Sequence, residues 1–270
     1  SPPWSGYEPM IIVRGAVPVR VKLQPPDFDL AVEALAAAAS PRLRAVIVNS
    51  PHNPTGRIYP PEALTALSAL LEELSASGGR PVYLISDEAY SRIVFDGRSF
   101  PSPATYYSKS LLVYTYGKVL VTPGQRLGYI ALHPGMPDAE QVSAALLMAQ
   151  MVTGWAFPNA LLQHALADLD ALSIDIGQLQ RKRDRMVDTL RRLGYEVATP
   201  EGTLHLLARS PIADDVAFTD ALARQGVFVM PGSVMELPGY LRISLTATED
   251  MIERSFPGFE LAIRDAGRPG

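Results

Sequence analysis

Apolar positions along the chain switch between two periods, and the switches mark out its elements. Residues 17–23 and 44–49 are short runs rich in β-branched side chains, which predicts strands. Between them, Asp29-Leu30-Ala31-Val32-Glu33-Ala34-Leu35 spaces its apolar residues as a helix does. Residues 61–74 and then 81–86 repeat the helix-then-strand order, and residues 111–115 and 127–132 supply two more strands. Residues 141–151 and 159–169 carry few charges, which predicts largely buried helices. Strands that alternate with helices in this way build a mostly parallel sheet, an α/β architecture.

The pattern changes near residue 174. Residues 178–193 predict a long amphipathic helix stopped by Gly194. Its cluster Arg181-Lys182-Arg183-Asp184-Arg185 reads as a solvated helix face rather than an anion site. Strands are then predicted over residues 195–198, 203–208, 227–230 and 240–245. A helix over 215–225 interrupts them, and another closes the chain from Thr248. That is an α+β order, so the chain divides into a large domain over residues 1–172 and a smaller C-terminal one over residues 173–270.

Composition narrows the function classes. Apolar residues make up 47% of the 270 and charged residues 19%, the balance of a folded globular protein. A net charge of −4 with no long basic run gives no electrostatic footprint for nucleic acid or an anionic membrane. No apolar stretch reaches the roughly 20 residues that span a bilayer. The absence of cysteine rules out a disulfide framework and thiolate metal sites, which suits a cytoplasmic location.

Three polar phrases each follow a predicted strand. Asn49-Ser50-Pro51-His52-Asn53-Pro54-Thr55-Gly56 closes one, Ser86-Asp87-Glu88-Ala89-Tyr90 the next, and Thr115-Tyr116-Gly117-Lys118 a third, with Arg126 eight residues beyond Lys118. Open α/β sheets place ligands at the carboxyl ends of their strands, so these phrases converge on one edge. Asp87 could merely cap a helix, Tyr90 could be an ordinary half-buried tyrosine, and Lys118 a surface lysine. As a set they make a different chemistry available. A lysine near cations can bond an aldehyde, an arginine can grip two phosphate oxygens, Thr115 can offer phosphate a hydroxyl, and a carboxylate can pair with a protonated ring nitrogen. These are the groups that a pyridoxal phosphate site needs.

The chain resembles the class I/II aminotransferases among the fold-type I pyridoxal phosphate enzymes. Residues 49–56 resemble the family's Asn-Pro-x-Asn-Pro-Thr-Gly turn, Asp87 to Tyr90 its Asp-x-x-Tyr, and Lys118 with Arg126 its lysine–arginine spacing. The resemblance implies a three-layer sheet in the large domain, beginning well inside that domain and so lacking the family's N-terminal segment, followed by a smaller α+β domain. It implies that Lys118 carries the Schiff base and shuttles the proton. Asp87 would pair with the pyridine nitrogen, Tyr90 and Asn53 would bond the ring oxygen, and Trp4 would stack on the ring. Thr115 and Arg126 would hold phosphate. Arg242, in Tyr240-Leu241-Arg242-Ile243-Ser244, would bind the substrate α-carboxylate together with Asn53. Gly117 and Thr115 stand where many relatives have serines. A homodimer is implied as well.

The substrates implied are an amino acid and a 2-oxo acid. Residues 127–180 contain no lysine or arginine, so this stretch offers no partner for an acidic side chain; Met148, Trp155 and Phe157 favour neutral or aromatic substrates. Two alternatives remain open to the sequence. One keeps the cofactor but performs β-elimination, decarboxylation or oxidation. The other is a truncated, non-catalytic homologue that serves as a binding partner.

Overall fold

The structure, a computed structural model, describes residues 2–155 and 157–266. Two short helices, α1 (Tyr7–Ile12) and α2 (Val32–Ala38), precede the first strand. A four-stranded sheet then runs in the order β1 (Ala45–Asn49), β2 (Tyr83–Asp87), β3 (Ser110–Thr115), β4 (Gly128–Leu132). β1, β2 and β3 are parallel, and β4 returns antiparallel along β3. The crossover from β1 to β2 is α3 (Pro61–Gly78). Pro61 starts it, where a missing N–H costs nothing, and Gly79 ends it in the left-handed conformation at φ 63°. Leu64, Leu67 and Leu71 lie on one helical face and are buried in a cluster with Val48 and Leu84 of the sheet. At the far edge Gly128 is obligatory: a Cβ there would sit 2.3 Å from the Tyr114 carbonyl oxygen.

Between β3 and β4 lies α4 (Tyr116–Val119), capped by the Thr115 hydroxyl, which accepts from the Gly117 N–H at 3.2 Å. Helices α5 (Ala139–Val152), α6 (Ala160–His164) and α7 (Leu166–Asp170) follow β4. The second half begins with α8 (Ile176–Arg192), whose N-cap Asp175 accepts from Gln178 N–H at 2.8 Å. Its three-stranded antiparallel sheet has the order β5 (His205–Arg209), β7 (Tyr240–Ser244), β6 (Met230–Pro231). α8, α9 (Asp215–Arg224) and α10 (Glu249–Ala266) bury their apolar stripes against it.

The two halves share their cores. Tyr90, Ile93 and Phe95, just past β2, belong to the cluster under the small sheet, and Leu207 of β5 belongs to the cluster under α3. Backbone joins them as well. The N–H groups of Glu201 and Gly202 both donate to the Gly56 carbonyl, at 2.9 and 3.1 Å. Thus the turn that ends β1 is fixed directly to the chain entering β5.

Several expectations need correction. Residues 17–23 form no strand; Val17 and Val19 are largely exposed and pair with nothing in either sheet, so β-branched content was not enough. Residues 195–198 reduce to a single bridge, Val197 with Ala208, and residues 227–230 to the two-residue β6. Helices α5, α6 and α7 exist, but none contains a buried residue. The Arg181–Arg185 cluster is not uniformly solvated either. Arg183 is 2% exposed, forks onto Asp96 at 2.6 and 2.7 Å, and lies 4.8 Å from the Phe95 ring centroid.

Candidate active site

The sheet register brings the three polar phrases to one edge. Asn49 stands opposite Asp87, and Asp87 opposite Val113, two residues before Thr115. The Asn49 amide donates to the Asp87 carbonyl at 3.0 Å, and its own oxygen accepts from the Asn53 backbone N–H at 2.8 Å, so β2 shapes the turn that holds Asn53. Across the seam, Arg242 on β7 reaches this turn, its guanidinium 3.4 Å from the Asn53 Oδ1. The side chains of Asn53 and Arg242 therefore meet although 189 residues separate them.

Lys118 is half-buried on α4, with its ammonium 5.5 Å from the centroid of the Tyr90 ring. Burial lowers its pKa, and the neighbouring charge of Arg242 lowers it further; Asp87 opposes, and Arg126 adds a smaller push in the same direction. Burial also lowers the pKa of Arg242. Tyr90 is 3% exposed and burial pushes its phenol up to about 12, so it stays protonated. Lys118, Asp87, Tyr90, Asn53 and Arg242 thus form one cluster. Arg126 stands at its margin: exposed, in the left-handed region at φ 53°, and donating to the Pro123 carbonyl at 2.9 Å. Thr115 is committed to its own backbone, because its hydroxyl donates to the Leu127 carbonyl at 3.3 Å as well as capping α4.

The chain as a whole has relatives among known proteins. Residues 1–256 match the family described as aminotransferase class I and II. The chain belongs to that family. It is 30% identical to the aspartate/prephenate aminotransferase of Thermus thermophilus, over 96% of this chain and 67% of that protein. The histidinol-phosphate aminotransferase of Thermobifida fusca is 31% identical, over 91% of this chain and 64% of that protein. The crystal structure of an aminotransferase from Eubacterium rectale superposes with a TM-score of 0.94 at 30% identity, over 99% of this chain and 67% of that one. The chain therefore spans about two thirds of the length of these relatives. It is a transaminase of the pyridoxal phosphate-dependent type.

The donor set fits that cofactor. A lysine amine with a lowered pKa stands beside a carboxylate, a protonated phenol and two guanidinium groups, which matches an aldehyde, a ring nitrogen, a ring oxygen, a phosphate and a substrate carboxylate. No helix among the described residues is long and apolar enough to cross a membrane.

Two residues that the motifs did not single out, Tyr7 and His205, join the cluster, and a third, His52, braces the turn beside it. Tyr7, at the start of α1, donates its hydroxyl to Asp87 Oδ2, while Asp87 Oδ1 accepts from the Ala89 N–H at 3.1 Å. Burial, and then the adjacent carboxylate, raise the Tyr7 pKa far above its ordinary value. Trp4, the residue expected to stack on the ring, is 46% exposed and meets Tyr7 edge-on, with centroids 5.4 Å apart. His52 is buried between the Thr55 hydroxyl at 2.8 Å and the Pro2 carbonyl at 3.1 Å, so it ties the start of the chain to the Asn-Pro turn. His205 packs against Tyr90. A polar residue inside the apolar run 203–208 was the one sequence signal for His205; His52 had none beyond lying inside the phrase 49–56, and Tyr7 had none.

Proposed function

We propose that the reaction, transfer of an amino group between an amino acid and a 2-oxo acid, is carried by Lys118 with Asp87, Tyr90, Asn53, Thr115, Arg126, Arg242 and, more peripherally, Trp4. The observation that supports this best is the half-buried Lys118 ammonium 5.5 Å from the centroid of the Tyr90 ring, where burial and the charge of Arg242 lower its pKa and Asp87 opposes them. Pyridoxal phosphate, when bound, supplies the aldehyde that a lysine amine attacks and the electron-poor ring that accepts charge from the substrate α-carbon. A lowered pKa leaves more of the Lys118 amine unprotonated, and so able to take the α-proton and return it one position away. Asp87 would keep the ring nitrogen protonated, and Tyr90 and Asn53 would donate to the ring oxygen. Arg242 would hold the α-carboxylate in a fork, with Asn53 beside it fixing the angle. Arg126 and Thr115 would take the phosphate; for Thr115 this requires its hydroxyl to give up the Leu127 carbonyl.

The coarser readings complete this picture. Residues 1–172 would form the large cofactor-binding domain and residues 173–270 the small one. The chain would work in the cytoplasm as a homodimer; Leu147, Met148, Met151, Val152 and Leu161, exposed along α5 and α6, supply apolar surface for such a contact. Neutral or aromatic donors are favoured because residues 127–180 carry no lysine or arginine, although Met148, Trp155 and Phe157 are exposed rather than gathered at Lys118.

The test adds pyridoxal phosphate to the purified chain and to Lys118→Ala. A visible-absorbing adduct that borohydride fixes to the wild type but not to the variant is expected. Amine transfer that depends on an added 2-oxo acid should follow, strongest with neutral or aromatic donors. No Lys118-dependent adduct would sink the assignment of the site, ammonia or carbon dioxide release without a 2-oxo acid would replace transamination here, and a strong aspartate preference would overturn the substrate reading.

A further inference from the structure

His205 opens β5 at the seam between the two halves. In the antiparallel ladder it stands opposite Ser244, and Leu207 stands opposite Arg242, so His205 and Arg242 share one face of the small sheet. That face looks onto Tyr90. The imidazole meets the phenol ring edge-on with centroids 5.9 Å apart, and its Nε2 lies 3.5 Å from the Tyr90 hydroxyl. Among the described residues, the charged and titratable groups facing the ring are Tyr90 itself, Arg242 on β7 and Lys118 on α4.

Burial first, then the charges of Arg242 and Lys118, push the imidazole pKa down to about 3. The Leu204 backbone, the smallest of these influences, opposes the shift. At neutral pH the ring therefore carries one N–H and one lone pair. Nδ1 is shielded from solvent and has no hydrogen-bond partner among the described residues. A buried N–H without an acceptor is rarer than an acceptor without a donor, so the lone pair belongs on Nδ1 and the proton on Nε2.

We propose that His205 is a positioning residue for Tyr90, its Nε2–H donating to the phenol oxygen and so leaving the phenol proton free for the cofactor's ring oxygen. This rests on the role given to Tyr90 above. With the opposite tautomer, Tyr90 would spend its single proton on the imidazole. A phenol that accepts one hydrogen bond becomes the stronger donor of the next. The ring oxygen then carries negative charge more easily, and the nitrogen joining Lys118 to the cofactor loses its proton at a lower pH.

Two measurements test this. In the cofactor-free protein, nitrogen NMR of labelled histidine should find His205 protonated on Nε2; protonation on Nδ1 would overturn the proposal without any variant. In the cofactor-loaded enzyme, the pH midpoint of the visible band is compared among wild type, His205→Phe, His205→Gln, Tyr90→Phe and the His205→Phe/Tyr90→Phe double variant. His205→Phe should raise the midpoint by roughly 0.5–1 unit, the worth of one neutral hydrogen bond. His205→Gln, whose amide can still donate, should recover most of that shift, and the double variant should match Tyr90→Phe alone. An unmoved midpoint in His205→Phe beside a raised one in Tyr90→Phe overturns the role of His205. An unmoved midpoint in Tyr90→Phe overturns instead the role of Tyr90 on which it depends.

Discussion

Tyr7 shows how much of this site depends on single hydrogen bonds to charge. Asp87 has two oxygens, one committed to the Ala89 N–H and the other accepting from Tyr7, so the carboxylate is held from two sides before any ring nitrogen approaches it. A hydrogen bond to a charged group contributes about 1.5–3 kcal/mol, and Tyr7→Phe removes this one while keeping the ring that packs against Trp4. The variant should therefore unfold at lower denaturant than wild type. It should also bind pyridoxal phosphate several-fold more weakly, because Asp87 becomes free to turn away from the ring. Urea titration of the cofactor-free chain and a visible-band titration with cofactor measure the two effects separately. Unchanged values in both would mean that Asp87 is oriented by Ala89 alone. His52, Tyr7 and His205 were invisible in the motifs for a common reason: each acts through contacts across 50 to 115 residues of chain, and local spacing carries no record of such partners. Lys118, Asp87, Tyr90 and Asn53 were legible because strand ends with turn residues after them announce themselves locally.

At the scale of elements, the sequence was readable wherever period and partner agreed. The strands that became β1, β2, β3, β5 and β7, and the helices that became α3, α8, α9 and α10, lie within a few residues of their expected positions. Residues 17–23 failed because a strand needs a neighbour as well as a propensity. The charge-poor α5 to α7 failed in the other direction: their apolar pattern asks for more burial than the described elements supply, Leu162, Leu166 and Leu169 being only partly buried against Tyr114, Tyr116, Val119 and Leu127. The seam between the halves was beyond reach, since it rests on two glycines that look like ordinary turn residues. A Cβ on Gly202 would lie 2.6 Å from the Ile93 carbonyl oxygen and 3.0 Å from the Pro51 ring, backbone and proline that cannot move aside cheaply. Gly202→Ala should cost about 1–3 kcal/mol, as overpacking does. It should also loosen cofactor binding, because Asn53 lies on one side of this seam and Arg242 and His205 on the other. Chemical denaturation together with cofactor titration tests it. A full loss of stability with wild-type cofactor affinity would mean that the seam holds the halves together without positioning the site.

For the whole molecule, the balance of protons between folded and unfolded chains sets a direction for pH. His52 is 5% exposed, and burial lowers its pKa to about 3. His205 is lowered to about 3 as well, by burial and its cationic neighbours. In an unfolded chain both would titrate near 6.5. Between about pH 3 and pH 6.5 the unfolded state therefore holds up to two more protons than the folded one, from two of the four histidines in the chain. Stability rises with pH wherever the unfolded state binds more protons, so acidification through this window should destabilise the fold, and above about pH 7 these groups should contribute no further slope. The slope of unfolding free energy against pH, measured by urea titration between pH 4 and pH 7, should flatten by close to one proton in His52→Gln, whose amide can still span the Thr55 hydroxyl and the Pro2 carbonyl. A slope unchanged by that substitution would mean that His52 takes up its proton in the folded chain, and that the start of the chain is not packed over the Asn-Pro turn as firmly as the buried imidazole requires.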